Sequence, residues 1–186
     1  MNKILKILLW SSGFSLLAAG LFGPIYAVFV EEIGGDLLTA GAAYSVFAIS
    51  SGIIIFFIGR WEDHIKHHEK LIVLGYGLGI LGFIGYLLIK TPLDLFLVQI
   101  VFGVAGAVGT PAFDGLYSRY LDKGKYCSEW ALWESMYSVV TGISALIGGY
   151  IANFYGFKVL FAIMLILSVI AFTTSLLLFL KKNASE

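Results

Sequence analysis

The stretch VLFAIMLILSVIAFTTSLLLFL, running from Val159 to Leu180, decides the fold. It carries no charge, and its apolar side chains surround a helix on every face. The strands of a membrane barrel would instead alternate apolar and polar residues. A bilayer core takes about 20 mostly apolar residues per helix, so this stretch reads as one membrane span. Lys181 and Lys182 follow it directly as a polar stop. Leu71 to Ile89 has the same character, and working outward from these two gives six spans: 4–30, 38–58, 71–89, 93–117, 128–150 and 159–180. Together they form a single six-span domain over residues 1–186.

The whole composition agrees with this reading. Of 186 residues, 59% are hydrophobic and 13% charged, against about 25% charged in soluble domains. The formal net charge is zero, so nothing in it favours nucleic acid. Cys127 is the only cysteine, which excludes an internal disulfide framework and a multi-cysteine metal site. The N-terminal run passes Ser15 and continues to Val30 without a short apolar region and cleavage pattern, so it reads as a retained first span.

Charge placement sets the expected orientation. Lys3, Lys6, Arg60, Lys66, Lys70, Arg119, Lys123, Lys125, Lys181 and Lys182 fall on one side of the six spans, and Lys90 and Lys158 on the other. The basic side is expected to be cytoplasmic, with both termini there, in a multi-pass protein of the cell membrane.

The spans also hint at an internal repeat. Tyr44-Ser45-Val46-Phe47 in span 2 recurs as Tyr137-Ser138-Val139-Val140 in span 5, and Pro24 in span 1 has a counterpart in Pro111 of span 4. Because three is odd, the second set of three spans crosses in the opposite sense, giving a 3+3 inverted repeat.

An ionised side chain at the centre of a membrane helix costs about 2.5 to 3.5 kcal/mol on insertion scales, so such residues point to function. Span 4 carries Asp114 and span 5 carries Glu134, with Glu129 at its entrance. Glu134 lies about 9 Å into its span at helical rise, too deep for a short carboxylate to reach the interface. It reads either as a cavity-lining acid for a cation, proton or basic group, or as a carboxylate bonded to a neighbouring helix. Trp130 and Trp133 on the same helix are expected to form an interfacial belt. Five positions place Arg119 about 140° around the helix from Asp114, so the aspartate is expected to look instead to the connection between spans 2 and 3. That connection holds His64, His67 and His68, best explained as part of a basic cytoplasmic loop rather than a metal site. Glycines 103, 106 and 109 in span 4, 75 and 79 in span 3, and 142, 148 and 149 in span 5 point to close helix packing. No catalytic motif and no cofactor signature appears, so the chain is not read as an enzyme.

The string Gly59-Arg60-Trp61-Glu62-Asp63-His64-Ile65-Lys66-His67-His68 resembles the loop signature between spans 2 and 3 of the major facilitator superfamily. Gly59 and Asp63 match, histidines stand at basic positions, and Lys66 replaces the second glycine. Gln99, four residues before Gly103, stands where that family often has arginine; Ser144 and Ala145 stand where its antiporters often have glycine and proline. The resemblance extends to Pro24 and to the run beginning at Gly148, and it covers nearly the whole chain.

It implies an all-α half-bundle in which spans 1 and 4 face a central cavity, spans 2 and 5 pack against another half, and spans 3 and 6 face lipid. It further implies a conformational latch at Gly59, Asp63, His67 and Asp114, away from the substrate. The candidate substrate- or ion-binding residues are Glu134, Gln99 and Tyr26. The family has twelve spans, so a second six-helix half is required, from a second copy, another protein, or the rest of a longer chain of which this is a fragment. The expected function is movement of a small solute by alternating access. The alternative is a non-transporting scaffold or regulatory module.

Overall fold

The computed structural model describes residues 2–182. Six helical segments in it are long and apolar enough to cross a membrane: Lys3–Glu32, Leu37–Glu62, His68–Leu88, Pro92–Arg119, Tyr126–Tyr155 and Phe157–Leu180. No strand occurs among the described residues.

The first span is two helices rather than one. α1 (Lys3–Gly20) stops before a short 3-10 turn at Gly23–Ile25, and α2 (Tyr26–Glu32) continues. Pro24 lacks an amide hydrogen and sits at the start of that turn, where the missing donor breaks the helical ladder. The second, third, fourth and fifth spans are α3 (Leu37–Glu62), α4 (His68–Leu88), α5 (Pro92–Arg119) and α6 (Tyr126–Tyr155). Pro111, the repeat counterpart of Pro24, is carried inside an unbroken α5. The sixth span is α7 (Phe157–Ser175) followed by α8 (Leu177–Lys182). At that joint the Ser175 hydroxyl donates to the Phe172 carbonyl at 2.6 Å, and such back-bonding competes with the helical ladder.

The helix ends are chemically marked. Asp36 caps α3 by accepting from the Thr39 amide at 2.7 Å. Thr91 and Asp94 form a reciprocal capping box on α5. The connection left between the expected spans 128–150 and 159–180 shrinks to one residue, because α6 runs on to Tyr155 and Gly156, at φ +79°, alone reverses the chain.

The packing follows the inverted repeat. α3 lies along α5 as α6 lies along α1; α4 lies along α5 as α7 lies along α1; α4 meets α7 across the centre. Exchanging the first three spans with the last three maps each of these pairs onto its partner. Glycines set the closest approaches. A Cβ at Gly20 would sit 2.9 Å from Cβ of Ser144, and one at Gly106 would lie 3.7 Å from the Ser51 hydroxyl. Ser51 and Ser144 share the offset that relates Tyr44 to Tyr137. A Cβ at Gly148 would run into the Leu21 carbonyl, so only glycine lets α6 close onto the break in the first span. Gly79, Gly142 and Gly149, also expected to pack, face open space.

Two apolar clusters hold the bundle. Near the end distant from the termini, Phe22, Phe29, Tyr86 and Phe161 form a largely edge-on aromatic group with centroids 4.9 to 6.4 Å apart. Nearer the termini, Leu5, Leu8, Ile72, Leu116 and Tyr117 pack together. α3 and α6 contribute little to either. On α3 only Ala40, Ala43 and Glu62 are buried, and on α6 only Glu129, Ser144 and Gly148.

Candidate functional site

α6 is divided lengthwise into three faces. Ser144 and Gly148 turn to α1. At 100° per residue, Glu134, Ser138 and Thr141 fall within about 60° of one another, whereas Val139, Ile143, Leu146 and Tyr150 centre about 150° from Glu134. Apart from the half-buried Thr141, both of these last faces are exposed. A Leu, Ile and Val stripe suits lipid tails. A carboxylate followed by two hydroxyls does not, because unsatisfied polar groups in hydrocarbon cost several kcal/mol. Among the described residues Glu134 has no hydrogen-bonding or ionic partner, so its stripe requires water or protein that this bundle does not supply.

The two uncharged candidates meet. Gln99 on α5 is buried, and its side-chain amide donates to the Tyr26 hydroxyl on α2 at 2.7 Å. The bond ties the first and fourth spans together just beyond the Pro24 break, which left the start of α2 where α5 can reach it. Glu134, on α6, is not joined to this pair.

The latch candidates are not assembled into one contact. Gly59 faces open space, and Asp63 is exposed at the end of α3. The His67 ring nitrogen lies 3.0 Å from the buried Glu69 carboxylate. It is His68 that reaches α5, its ring 3.8 Å from where a Cβ on Gly115 would stand. Asp114, itself exposed, instead borders a half-open cavity of about 330 Å³ in the bundle.

That cavity is bordered by α1, α4, α5, α6 and α7. Its polar lining is Asp114 with the hydroxyls of Ser12, Ser15, Tyr76, Thr110 and Ser168, and of these Ser12 and Tyr76 bond each other at 3.0 Å. Phe83, Phe102, Phe113 and Trp133 supply aromatic walls. The cavity exists because small residues, Gly75, Gly79, Gly106 and Gly109 among them, line it where larger ones would fill it. Trp130 and Trp133, expected to form an interfacial belt, are half-buried and pack part of their surface inward. Trp130 packs on Tyr117 with centroids 4.9 Å apart, and Trp133 on Phe113 at 4.8 Å. Tyr117 draws them inward, since its hydroxyl donates to the Glu129 carbonyl at 2.5 Å and closes α6 onto α5. Glu129 in turn accepts the Asp122 amide at 2.8 Å, a loop cap rather than a transport acid.

Sequence reasoning passed over Glu62. It is 3% exposed, and neither carboxylate oxygen has a hydrogen-bond partner. Its place at the last turn of an apolar helix, beside Asp63 in the loop signature, gave no sign of burial. The cavity was equally hidden, because its lining is drawn from five helices.

Comparison with known proteins accounts for this architecture. Residues 8–186 match the profile of the Major Facilitator Superfamily. The uncharacterized MFS-type transporter YitZ of Bacillus subtilis is 24% identical over 152 residues, 77% of this chain and 87% of that protein. The uncharacterized MFS-type transporter MJ1560 of Methanocaldococcus jannaschii is 27% identical over 167 residues, 87% of this chain but 42% of that protein. The quinolone resistance protein NorB of Staphylococcus aureus is 28% identical over 192 residues, all of this chain and 38% of that protein. The chain thus spans most of one such relative and less than half the length of the other two. With its six membrane-crossing helices paired as an inverted repeat and the family profile matched over nearly its whole length, this chain belongs to the Major Facilitator Superfamily of membrane transporters.

Proposed function

We propose that the chain acts as one six-helix half of a secondary transporter, moving a small solute by alternating access in partnership with a second six-helix half. The observation that carries this reading is the polar stripe on α6, with Glu134 and Ser138 exposed and Thr141 half-buried, which lipid cannot solvate and a facing bundle or a water-filled cavity can. α3 presents a matching face. Gly41, Ser45, Ala48 and Gly52 stand at the repeat offset from Glu134, Ser138, Thr141 and Ala145, and they are small enough for close helix approach. Spans 2 and 5 together then form the seam with the second half. A second copy related by an axis along the membrane normal supplies it with the right geometry, as does a partner chain or a covalent continuation.

In this arrangement Glu134 binds a cation, a proton or a basic group of the solute at the seam. Gln99 and Tyr26 hold the first and fourth spans in register at the solute path. Gly59, Asp63 and His67 meet the second half in one conformation only and release it in the other. Asp114, the fourth latch candidate, borders the inner cavity apart from these three. The protein lies in the cell membrane with both termini cytoplasmic, on the strength of ten basic residues on that side against two.

The test is flux. The protein, purified with any bundle that accompanies it, is placed in liposomes and assayed with a pH-sensitive dye and a panel of labelled small solutes. Movement of protons or of one solute is expected, with an initial rate reduced at least tenfold by Glu134→Gln at unchanged thermal stability. No flux across the panel would leave a scaffold or regulatory module as the better reading.

A further inference from the structure

We infer that the half-open cavity bordered by α1, α4, α5, α6 and α7 is a binding site for a monovalent organic cation with an aromatic or alkyl body, held between Asp114 and the Phe113–Trp133 pair. It lies within this half-bundle and is distinct from the seam at Glu134.

The charge argument comes first. Among the described residues no N–H, hydroxyl or cationic side chain is bonded to Asp114, which is exposed in the wall of a half-open cavity whose other polar groups are all neutral hydroxyls. A carboxylate so placed, with apolar surface around it, favours a positive partner. No lysine, arginine or histidine lines the cavity. An anion is repelled by Asp114 and finds no counter-charge. A metal ion is disfavoured as well, because one carboxylate is the whole ligand set and no metal-holding group of histidine, cysteine or acid occurs among the described residues.

Shape and lining narrow the class further. The volume of about 330 Å³ is at the lower end for small-molecule sites. Phe113 and Trp133, with centroids 4.8 Å apart, border the space beside the carboxylate. Aromatic faces attract cations through the ring quadrupole, best for tryptophan, and the attraction strengthens where water is excluded. Phe83 and Phe102 extend an apolar wall away from Asp114, which suits the body of the ligand. Small residues leave the room, and Thr110, one turn before Asp114, offers a hydroxyl. Because one hydroxyl pair, Ser12 and Tyr76, is already satisfied internally, the lining is poorly suited to a sugar-like ligand.

The test uses labelled benzyltrimethylammonium and the full chain in lipid nanodiscs, with its neutral isostere neopentylbenzene as competitor. Saturable binding is expected, weakened at least tenfold by Asp114→Asn, about threefold or more by Trp133→Leu, and largely retained by Asp114→Glu. The neutral isostere, of the same shape, should compete at least tenfold less well than unlabelled cation. That comparison is made on the unaltered chain, so it decides the matter even if Asp114→Asn fails to fold. No saturable binding, equal competition by the isostere, or binding to folded Asp114→Asn within twofold of the unaltered chain overturns the assignment. Transport is a separate outcome: cation binding without flux would sink the half-transporter reading and leave this site standing, and flux without Asp114-dependent binding would do the reverse.

Discussion

Asp114 and Glu134 are both acids in apolar helices, twenty positions apart, and both lack a partner among the described residues. Both are exposed, yet the bundle treats them differently. Asp114 borders a half-open cavity lined by five helices of the same chain. Glu134 opens outward, on a helix that gives only three residues to the protein interior. The insertion cost is similar for each, so the difference lies in who relieves it. An acid at a cavity wall is relieved by something small enough to enter the cavity. An outward acid in a membrane is relieved only by a surface large enough to displace lipid. The cavity beside Asp114 is thus lined by this half, whereas Glu134 has no lining of its own here.

Variants can break or sharpen that contrast. The largest effect is expected at adjacent glycines of α6, one on each side of the divide. Gly148→Val drives a side chain into the Leu21 carbonyl and should cost about 3 kcal/mol or more, enough to abolish folded protein in detergent. Gly149→Ala, with open space before it, should be neutral or slightly stabilising by helix propensity. Size-exclusion profiles and thermal midpoints read both, and equal tolerance would refute the close approach of α6 to α1.

Next comes the exchange of the two acids' roles. Glu134→Gln should abolish flux while leaving benzyltrimethylammonium binding within twofold; loss of both together would merge the two sites into one. Smaller again is Tyr26→Phe, which leaves the buried Gln99 amide without its acceptor and should destabilise by about 1 to 3 kcal/mol, seen as a lowered thermal midpoint. An unchanged midpoint would mean that the bond contributes nothing.

The smallest effect concerns pH. Hydrogen bonds from the Thr39 side chain and amide hold the Asp36 carboxyl below its usual range. Its folded-state value is depressed, so its cap stabilises α3 above the unfolded pKa and fades as pH falls through the folded one. A shallow loss of stability in mild acid should vanish in Asp36→Asn, which still caps but does not titrate. A pH profile identical in both would show that the cap is not the source.

Much of this was legible from residue order. Span number followed from hydropathy and length, and the inverted repeat from two short recurrences, because both are local or periodic properties. Helix ends were less so. The length of Ser128 to Tyr150 was underestimated since Gly156 alone can reverse the chain, and Pro24 broke its helix whereas Pro111 did not. Both prolines remove the same donor; the break at Pro24 is accommodated by Gly148 on a different helix, invisible from the neighbourhood of either proline. The candidate residues were mostly identified by chemistry but not by partner. Gln99 and Tyr26, 73 positions apart, meet only because α2 and α5 cross. Trp130 and Trp133 looked interfacial by type, yet Tyr117 and Phe113 hold them inward. The inner cavity had no signal in any one span, since it is the space left by small residues on several.

The central claim is that the polar stripe of α6 faces protein or water and not lipid, and spin-label accessibility tests it directly. With Cys127 replaced by serine, single nitroxides are placed at Ser138 and at Leu146, which is 79% exposed in this bundle, and oxygen collision rates are measured in membranes. A label at Ser138 shielded from oxygen relative to one at Leu146 is the predicted result. Oxygen accessibility at Ser138 as high as at Leu146 would place the stripe in lipid and contradict a second half at this face.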